Sequence, residues 1–224
     1  MNKLLTTVFA FCVASATAVS AFAQDVKGDA KAGEGKIAMC IGCHGIKGYQ
    51  ASFPEVYKVP MISGQSGPFI IAALQAYKKG ERKHPTMRAI ADSLSDQDMA
   101  DIAAHYSVDG VVAGAPALPK APEAPAKVAE MLKKGACLSC HGDNLSKPID
   151  PTYPKIAGQH TDYLFVALKS YKVENNPNVG RSNAIMGGIA KQFSNAELKE
   201  LAKYVGGLDS DLKIMPQSKI HQKR

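Results

Sequence analysis

The stretch "AMCIGCHG", Ala38–Gly45, decides how this chain folds, and it returns as "GACLSCHG", Gly135–Gly142. Each copy has two cysteines two residues apart and a histidine directly behind the second: Cys40, Cys43, His44 and Cys137, Cys140, His141. The likeness extends outward. "VPMISGQ" (Val59–Gln65) matches "YPKIAGQ" (Tyr153–Gln159), and "FIIAALQAYK" (Phe69–Lys78) matches "YLFVALKSYK" (Tyr163–Lys172). "RKHPTMRAIADSLSDQDM" (Arg82–Met99) matches "RSNAIMGGIAKQFSNAEL" (Arg181–Leu198). The offset drifts from 97 to 94 to 99, as small length changes confined to loops produce. Self-similarity on this scale is a duplication.

Between the copies, "VVAGAPALPKAPEAP" (Val111–Pro125) is dominated by Ala and Pro and reads as a semi-extended linker. The chain then divides into a leader at 1–23, a first domain at 24–110, a linker at 111–126, a second domain at 127–210 and a polar, basic tail at 211–224. Local signals predict an all-α fold of two tandem domains. "SDQD" from Ser95 and "SNAE" from Ser194 are capping-box starts. Behind them Met99, Ile102, Ala103, Tyr106 and Leu198, Leu201, Ala202, Val205 recur at helical spacing. Ile70, Leu74, Tyr77 and Leu164, Leu168, Tyr171 mark a middle helix in each half, with Gly80 a stop for the first. Domains of roughly 85–90 residues are marginal on burial alone and usually need a staple or a cofactor.

The leader carries Lys3, an apolar run from Leu4 to Val19 broken by Thr and Ser, and "AFA" at 21–23, the pattern of a cleaved secretory signal. An exported, periplasmic protein is expected. Export argues against a nucleic-acid partner. Charge is uneven: residues 24–110 hold ten basic and ten acidic groups, and residues 111–224 hold sixteen basic and ten acidic. The basic half suits an acidic protein partner or peripheral contact with a membrane surface.

Cys12 leaves with the leader, so the mature chain has only the four motif cysteines. Their spacing argues against disulfides. A thioredoxin-like pair would sit near a βαβ pattern, and zinc would want further ligands at set spacing, whereas His84, His105 and His160 are scattered. C-x-x-C-H is instead the attachment signature of c-type haem. The two thiols form thioethers with the porphyrin's vinyl groups, and the histidine falls under the iron. Two covalent haem c groups are expected, on Cys40 and Cys43 and on Cys137 and Cys140, with His44 and His141 as axial ligands.

The sixth ligand decides between carrier and enzyme. Met39, Met99 and Met131 read as core, Met61 aligns with Lys155, and Met215 lies in the tail. Met87 and Met186 align with each other, each five residues after an arginine, Arg82 or Arg181. A thioether there favours Fe(II) and closes the iron to substrates. His84 competes for the first iron, but its counterpart is Asn183. Arg82 and Arg181 are candidate donors to the haem propionates, because guanidinium matches carboxylate geometry. No catalytic constellation accompanies these residues, so an electron-transfer protein rather than an enzyme is expected.

Over Gly28 to about Leu208 the chain resembles the dihaem class I cytochromes c, the cytochrome c4 family; the two C-x-x-C-H motifs and the P-x-I-x-G segments at Pro60–Gly64 and Pro154–Gly158 carry the likeness. The resemblance implies that the Pro60 carbonyl orients His44 and the Pro154 carbonyl His141. It also implies single-electron delivery from quinol–cytochrome c reductase to a terminal oxidase, with the propionates lining an interface between the domains. Two alternatives share these motifs: a dihaem subunit serving a dehydrogenase, as in a flavocytochrome, and a dihaem peroxidase with one labile iron.

Overall fold

The structure, a computed structural model, describes residues 26–216, so the leader with Cys12 and the end of the tail lie outside the described residues. The first half runs α1 (Ala30–Glu34), α2 (Ala38–His44), β1 (Gln50–Ala51), β2 (Tyr57–Lys58), α3 (Gly67–Lys78), β3 (Arg82–Lys83), α4 (Pro85–Asp92) and α5 (Asp96–Val108). The second runs α6 (Ala126–Lys134), α7 (Cys137–His141), α8 (Thr161–Ser170), β4 (Gly180–Arg181), α9 (Ala184–Ala190) and α10 (Asn195–Gly206). Apart from the β1–β2 hairpin, every element of the first half has a counterpart in the second.

The helix ends follow from local chemistry. Ser95 and Ser194 cap α5 and α10, and each exchanges bonds with the acidic residue three positions on, Asp98 or Glu197. Such caps contribute about 1 kcal/mol each. Beyond α3, Gly80 takes φ +74°, a left-handed conformation that costs glycine little. The periodic apolar residues of α5 and α10 are all buried. They face Ile70 and Leu74 of α3 in the first half; Leu164 of α8 packs with Ala202 and Val205 in the second.

Packing of α1 on α5 is unusually close. A Cβ on Gly33 would lie 2.1 Å from the Asp101 carbonyl oxygen, and one on Gly28 2.1 Å from that of Ala100. Asp101 is buried at this crossing and takes hydrogen bonds from the Asp29 amide (2.8 Å), the Gln97 side chain (2.8 Å) and Lys36 (2.7 Å). Three donors satisfy the carboxylate, as a buried charge requires.

The halves meet in a pseudo-symmetric joint. Gln65 is buried; its Nε2 donates to the Lys155 carbonyl (2.9 Å) and its Oε1 accepts from the Lys155 amide (2.9 Å). Gln159 makes the same pair of bonds with Met61, at 2.9 and 3.0 Å. Strands β3 and β4, one from each half, pair antiparallel with Arg82 opposite Arg181. The β1–β2 hairpin reaches α8, where the Lys58 amide donates to Asp162 (3.0 Å) and Glu55 pairs with Lys169 (2.7 Å).

Two placements differ from the sequence reading. Met39 is 52% exposed, whereas Met99 and Met131 are core at 0% and 5%. Met39 sits on the seven-residue α2, none of whose residues is buried, at the edge of the cavity that Cys40 and Cys43 also line. Residues 211–216, read as the start of a polar tail, lie against the first half: Leu212 is buried, the Lys213 amide donates to the Ser63 carbonyl (3.0 Å), and Lys213 Nζ donates to the Gly110 carbonyl (3.0 Å).

Candidate functional site

A continuous cavity of about 610 Å³ runs through both halves, and Cys40, Cys43, His44 and Met87 line it from one side while Cys137, Cys140, His141 and Met186 line it from the other. The C-x-x-C-H residues sit on α2 and α7, short helices that present both cysteines and the histidine within about a turn. None of the four cysteines is in a disulfide. Burial pushes the Cys40 thiol up to about 11 and raises that of Cys137 as well, so neither is a thiolate at neutral pH, as a redox-active pair would need.

His44 Nδ1 lies 2.8 Å from the Pro60 carbonyl oxygen, and His141 Nδ1 lies 2.9 Å from that of Pro154. A carbonyl only accepts, so Nδ1 carries the hydrogen and Nε2 keeps its lone pair. Burial holds both imidazoles below their ordinary pKa, against the pull of the proline carbonyls. Each is therefore neutral with one nitrogen free for a metal. The proline segments end in Gly64 and Gly158, at φ +82° and +65°. A Cβ at either would meet the returning C-terminal segment, the Asp211 carbonyl at 2.5 Å or the Leu208 carbonyl at 2.6 Å.

Met87 and Met186 are each the third residue of their helix, α4 or α9. The helix N-cap holds each backbone: His84 Nδ1 accepts from the Met87 amide (3.3 Å) and Asn183 Oδ1 from the Met186 amide (2.9 Å). This accounts for the mismatch of histidine and asparagine in the repeat, since both serve as acceptors at one position. With Nδ1 occupied as the N-cap acceptor, His84 leaves only Nε2, which is buried without a hydrogen-bond partner. Asn183→Ala is expected to destabilise the second half by about 1 kcal/mol. A lowered thermal midpoint measures it, and His84→Ala should cost less because its bond is longer.

The propionate candidates converge. Arg82 and Arg181 both line the cavity and both donate to the Tyr163 hydroxyl, at 3.3 and 3.1 Å. Arg82 stacks on Tyr77 at 4.7 Å and Arg181 on Tyr171 at 5.4 Å, a repeated arrangement. Among the described residues the ion pairs involve Arg88 and lysines but neither of these arginines. Arg82 Nε is buried without a partner. Half-buried guanidinium groups facing a cavity, one with an unpaired buried Nε, suit an anion such as a carboxylate. The thiols, the neutral imidazoles, the thioethers and this orphaned donor together fit a covalently held haem in each half. Among the described residues no cluster of three or more His, Cys, Asp or Glu could hold a bare metal ion.

Tyr163 was absent from the sequence expectations. Its signal was present in the repeat, where it aligns with Phe69 and differs by one hydroxyl.

The comparisons agree with this geometry. The cytochrome c family model matches residues 30–106 and again 125–209. A cytochrome c4 of Stutzerimonas stutzeri is 34% identical over 81% of this chain and 90% of its own length. The crystal structure of reduced recombinant cytochrome c4 from Pseudomonas stutzeri superposes with a TM-score of 0.62 at 33% identity, covering 81% of this chain and all of that one. A thiosulfate dehydrogenase electron acceptor from Stutzerimonas stutzeri (strain A1501) is 27% identical over 74% of this chain and 76% of its own length. The chain belongs to the cytochrome c family, as a dihaem electron-transfer protein of its cytochrome c4 group with two covalently bound haem c groups.

Proposed function

We propose that His44 and Met87 ligate one iron and His141 and Met186 the other, and that the protein carries single electrons in the periplasm from quinol–cytochrome c reductase to a terminal oxidase. The observation that carries the ligand set is that, of the methionines lining the cavity (Met39, Met61, Met87 and Met186), only Met87 and Met186 occupy matched positions in the two halves, at the N-capped start of α4 or α9. A haem bound there supplies a reversible one-electron couple. The chain's own residues do the rest. The prolines fix each imidazole's tautomer and strengthen it as a ligand. The apolar walls exclude water, and Arg82 and Arg181 neutralise the propionates. The leader supports export. The excess of basic residues after Val111 suits an acidic docking partner, with association that weakens as salt rises.

A second reading gains from one comparison. The thiosulfate dehydrogenase electron acceptor shares most of this chain, so a dehydrogenase is an alternative donor. Stopped-flow reduction of the oxidised holoprotein separates the two. Rapid, salt-sensitive reduction by quinol–cytochrome c reductase supports the respiratory route. Reduction by thiosulfate dehydrogenase, and not by the reductase, replaces it. The same preparation tests the ligands: a ferric sulfur–iron absorption band and two midpoints are expected, and a high-spin ferric spectrum overturns the closed-iron assignment.

A further inference from the structure

A peptide unit is planar, so a carbonyl and the amide that follows it move as one piece. The Pro60 carbonyl and the Met61 amide form one such unit, and the Pro154 carbonyl and the Lys155 amide form another. On the carbonyl side the first unit meets His44 Nδ1 at 2.8 Å and the second meets His141 Nδ1 at 2.9 Å. On the amide side each unit donates to a glutamine of the opposite half: Met61 to Gln159 Oε1 at 3.0 Å, and Lys155 to Gln65 Oε1 at 2.9 Å. The glutamine Nε2 closes the grip by donating to the next carbonyl, that of Met61 or Lys155, at 2.9 Å in both cases. Two chains of hydrogen bonds thus cross the joint in opposite directions, and each ends on a proximal histidine.

We propose that Gln159 is a positioning residue for the first iron and Gln65 for the second, so that each half tunes the redox potential of the other half's haem. This rests on the reading that His44 and His141 ligate the irons.

Hydrogen bonds in a chain polarise one another. An amide that donates to a glutamine oxygen leaves the carbonyl of the same peptide a better acceptor. That carbonyl draws more strongly on the Nδ1 hydrogen, and the imidazole becomes a stronger donor through Nε2. A stronger donor favours Fe(III) and lowers the midpoint. The glutamine also fixes where the carbonyl points, because the residue it grips is held at both its amide and its carbonyl. Each acceptor oxygen is itself placed by its own half: Gln65 Oε1 takes a second bond from the Ser66 amide (2.9 Å) and Gln159 Oε1 from the His160 amide (3.0 Å). Both glutamines are 4% exposed, so water has poor access to replace them.

The duplication accounts for the crossing. Proline and glutamine lie five residues apart in each copy, as Pro60 and Gln65 and as Pro154 and Gln159. Two copies docked pseudo-symmetrically give and receive the same contact, as an isologous interface does. The glutamine that braces each proximal histidine therefore lies in the other half.

The test compares the holoprotein with Gln159→Met and Gln65→Met, which keep the length of the side chain and lose its bonds. Spectroelectrochemistry gives both midpoints, and nuclear magnetic resonance of the reduced, 15N-histidine-labelled protein follows the Nδ1–H signals of His44 and His141. Gln159→Met should raise the first iron's midpoint and move the His44 signal upfield, with the second iron and His141 close to native. Gln65→Met should do the reverse. Gln159→Glu keeps an oxygen for the Met61 amide, so the His44 signal should stay near its native position. Shifts that fall on the variant's own half, on both irons equally or on neither overturn the proposal. Thermal loss with both midpoints unmoved also overturns it and leaves the glutamines as ties between the halves. The ligand reading is checked apart, in the oxidised native protein, where two hyperfine-shifted axial imidazoles are expected. If either is missing, that reading fails. If both are present and neither variant moves a midpoint, only the glutamine proposal fails.

Discussion

Met87→Ala is expected to abolish the sulfur–iron band for one of the two irons and to lower that iron's midpoint by a few tenths of a volt, a fraction of the ~0.8 V that axial ligands command across haem proteins. Met186→Ala should do the same to the other iron, with the first left nearly as it was. The expectation follows from the soft thioether, which favours Fe(II), and from the open position its loss leaves to water. A water-ligated iron is high-spin and accessible, so each variant should also react with peroxide faster than the native protein. Both methionines are partly buried, so packing is lost as well, and that must be distinguished from ligation. Met99→Ala provides the contrast. Met99 is fully buried in the first core, and its truncation should cost about 2–5 kcal/mol. It should leave both spectra and both midpoints close to native. If Met87→Ala behaves like Met99→Ala, destabilising without spectral change, Met87 is core filler and the carrier reading fails for the first half.

Some of this site was written locally in the chain, and some was not. The haem attachment residues lie within five positions of each other, and the caps at Ser95 and Ser194 span four, so both are legible without knowing the fold. The cores of α5 and α10 were legible because helices of thirteen and twelve residues hold enough turns for a period to show. Met39 reads as core by residue type, but α2 has only seven residues and buries none of them, too few turns for an apolar face to show. The β3–β4 pair was invisible for a different reason. Two residues per strand cannot display alternation, and the partner lies in the other half of the chain. The tail segment hid a single buried leucine, Leu212, among polar neighbours. Gln65 and Gln159 stood in plain view at the ends of the matched proline segments. What they bind is main chain, which leaves no mark in a sequence.

That last point carries the other large effect. Gln65→Ala should lower the thermal midpoint by an amount corresponding to about 1–3 kcal/mol, because it leaves the Lys155 amide and carbonyl without the bonds they make at 2.9 Å. Gln159→Ala should do likewise to Met61, whose amide and carbonyl lose bonds of 3.0 and 2.9 Å. Both glutamines are 4% exposed, so water has poor access to replace what is removed. The two contacts share no partner, and their energies should be close to additive until the joint itself yields. In the double variant the remaining ties include the β3–β4 pair, the Arg82–Tyr163 bond, the hairpin on α8, the Lys155 Nζ bond to the Gly64 carbonyl and the C-terminal segment on the first half, with several exposed ion pairs of small net value among them. Calorimetry should then show two transitions where the native protein shows one. The redox consequence follows from the same geometry. Arg82 and Arg181 can share the Tyr163 oxygen only while the halves stay docked, so loosening the joint should also weaken the influence of one iron's oxidation state on the other. Two transitions with unchanged redox interaction would place the coupling outside the joint. One transition with an unchanged midpoint would show that the glutamine bonds do not hold the halves together.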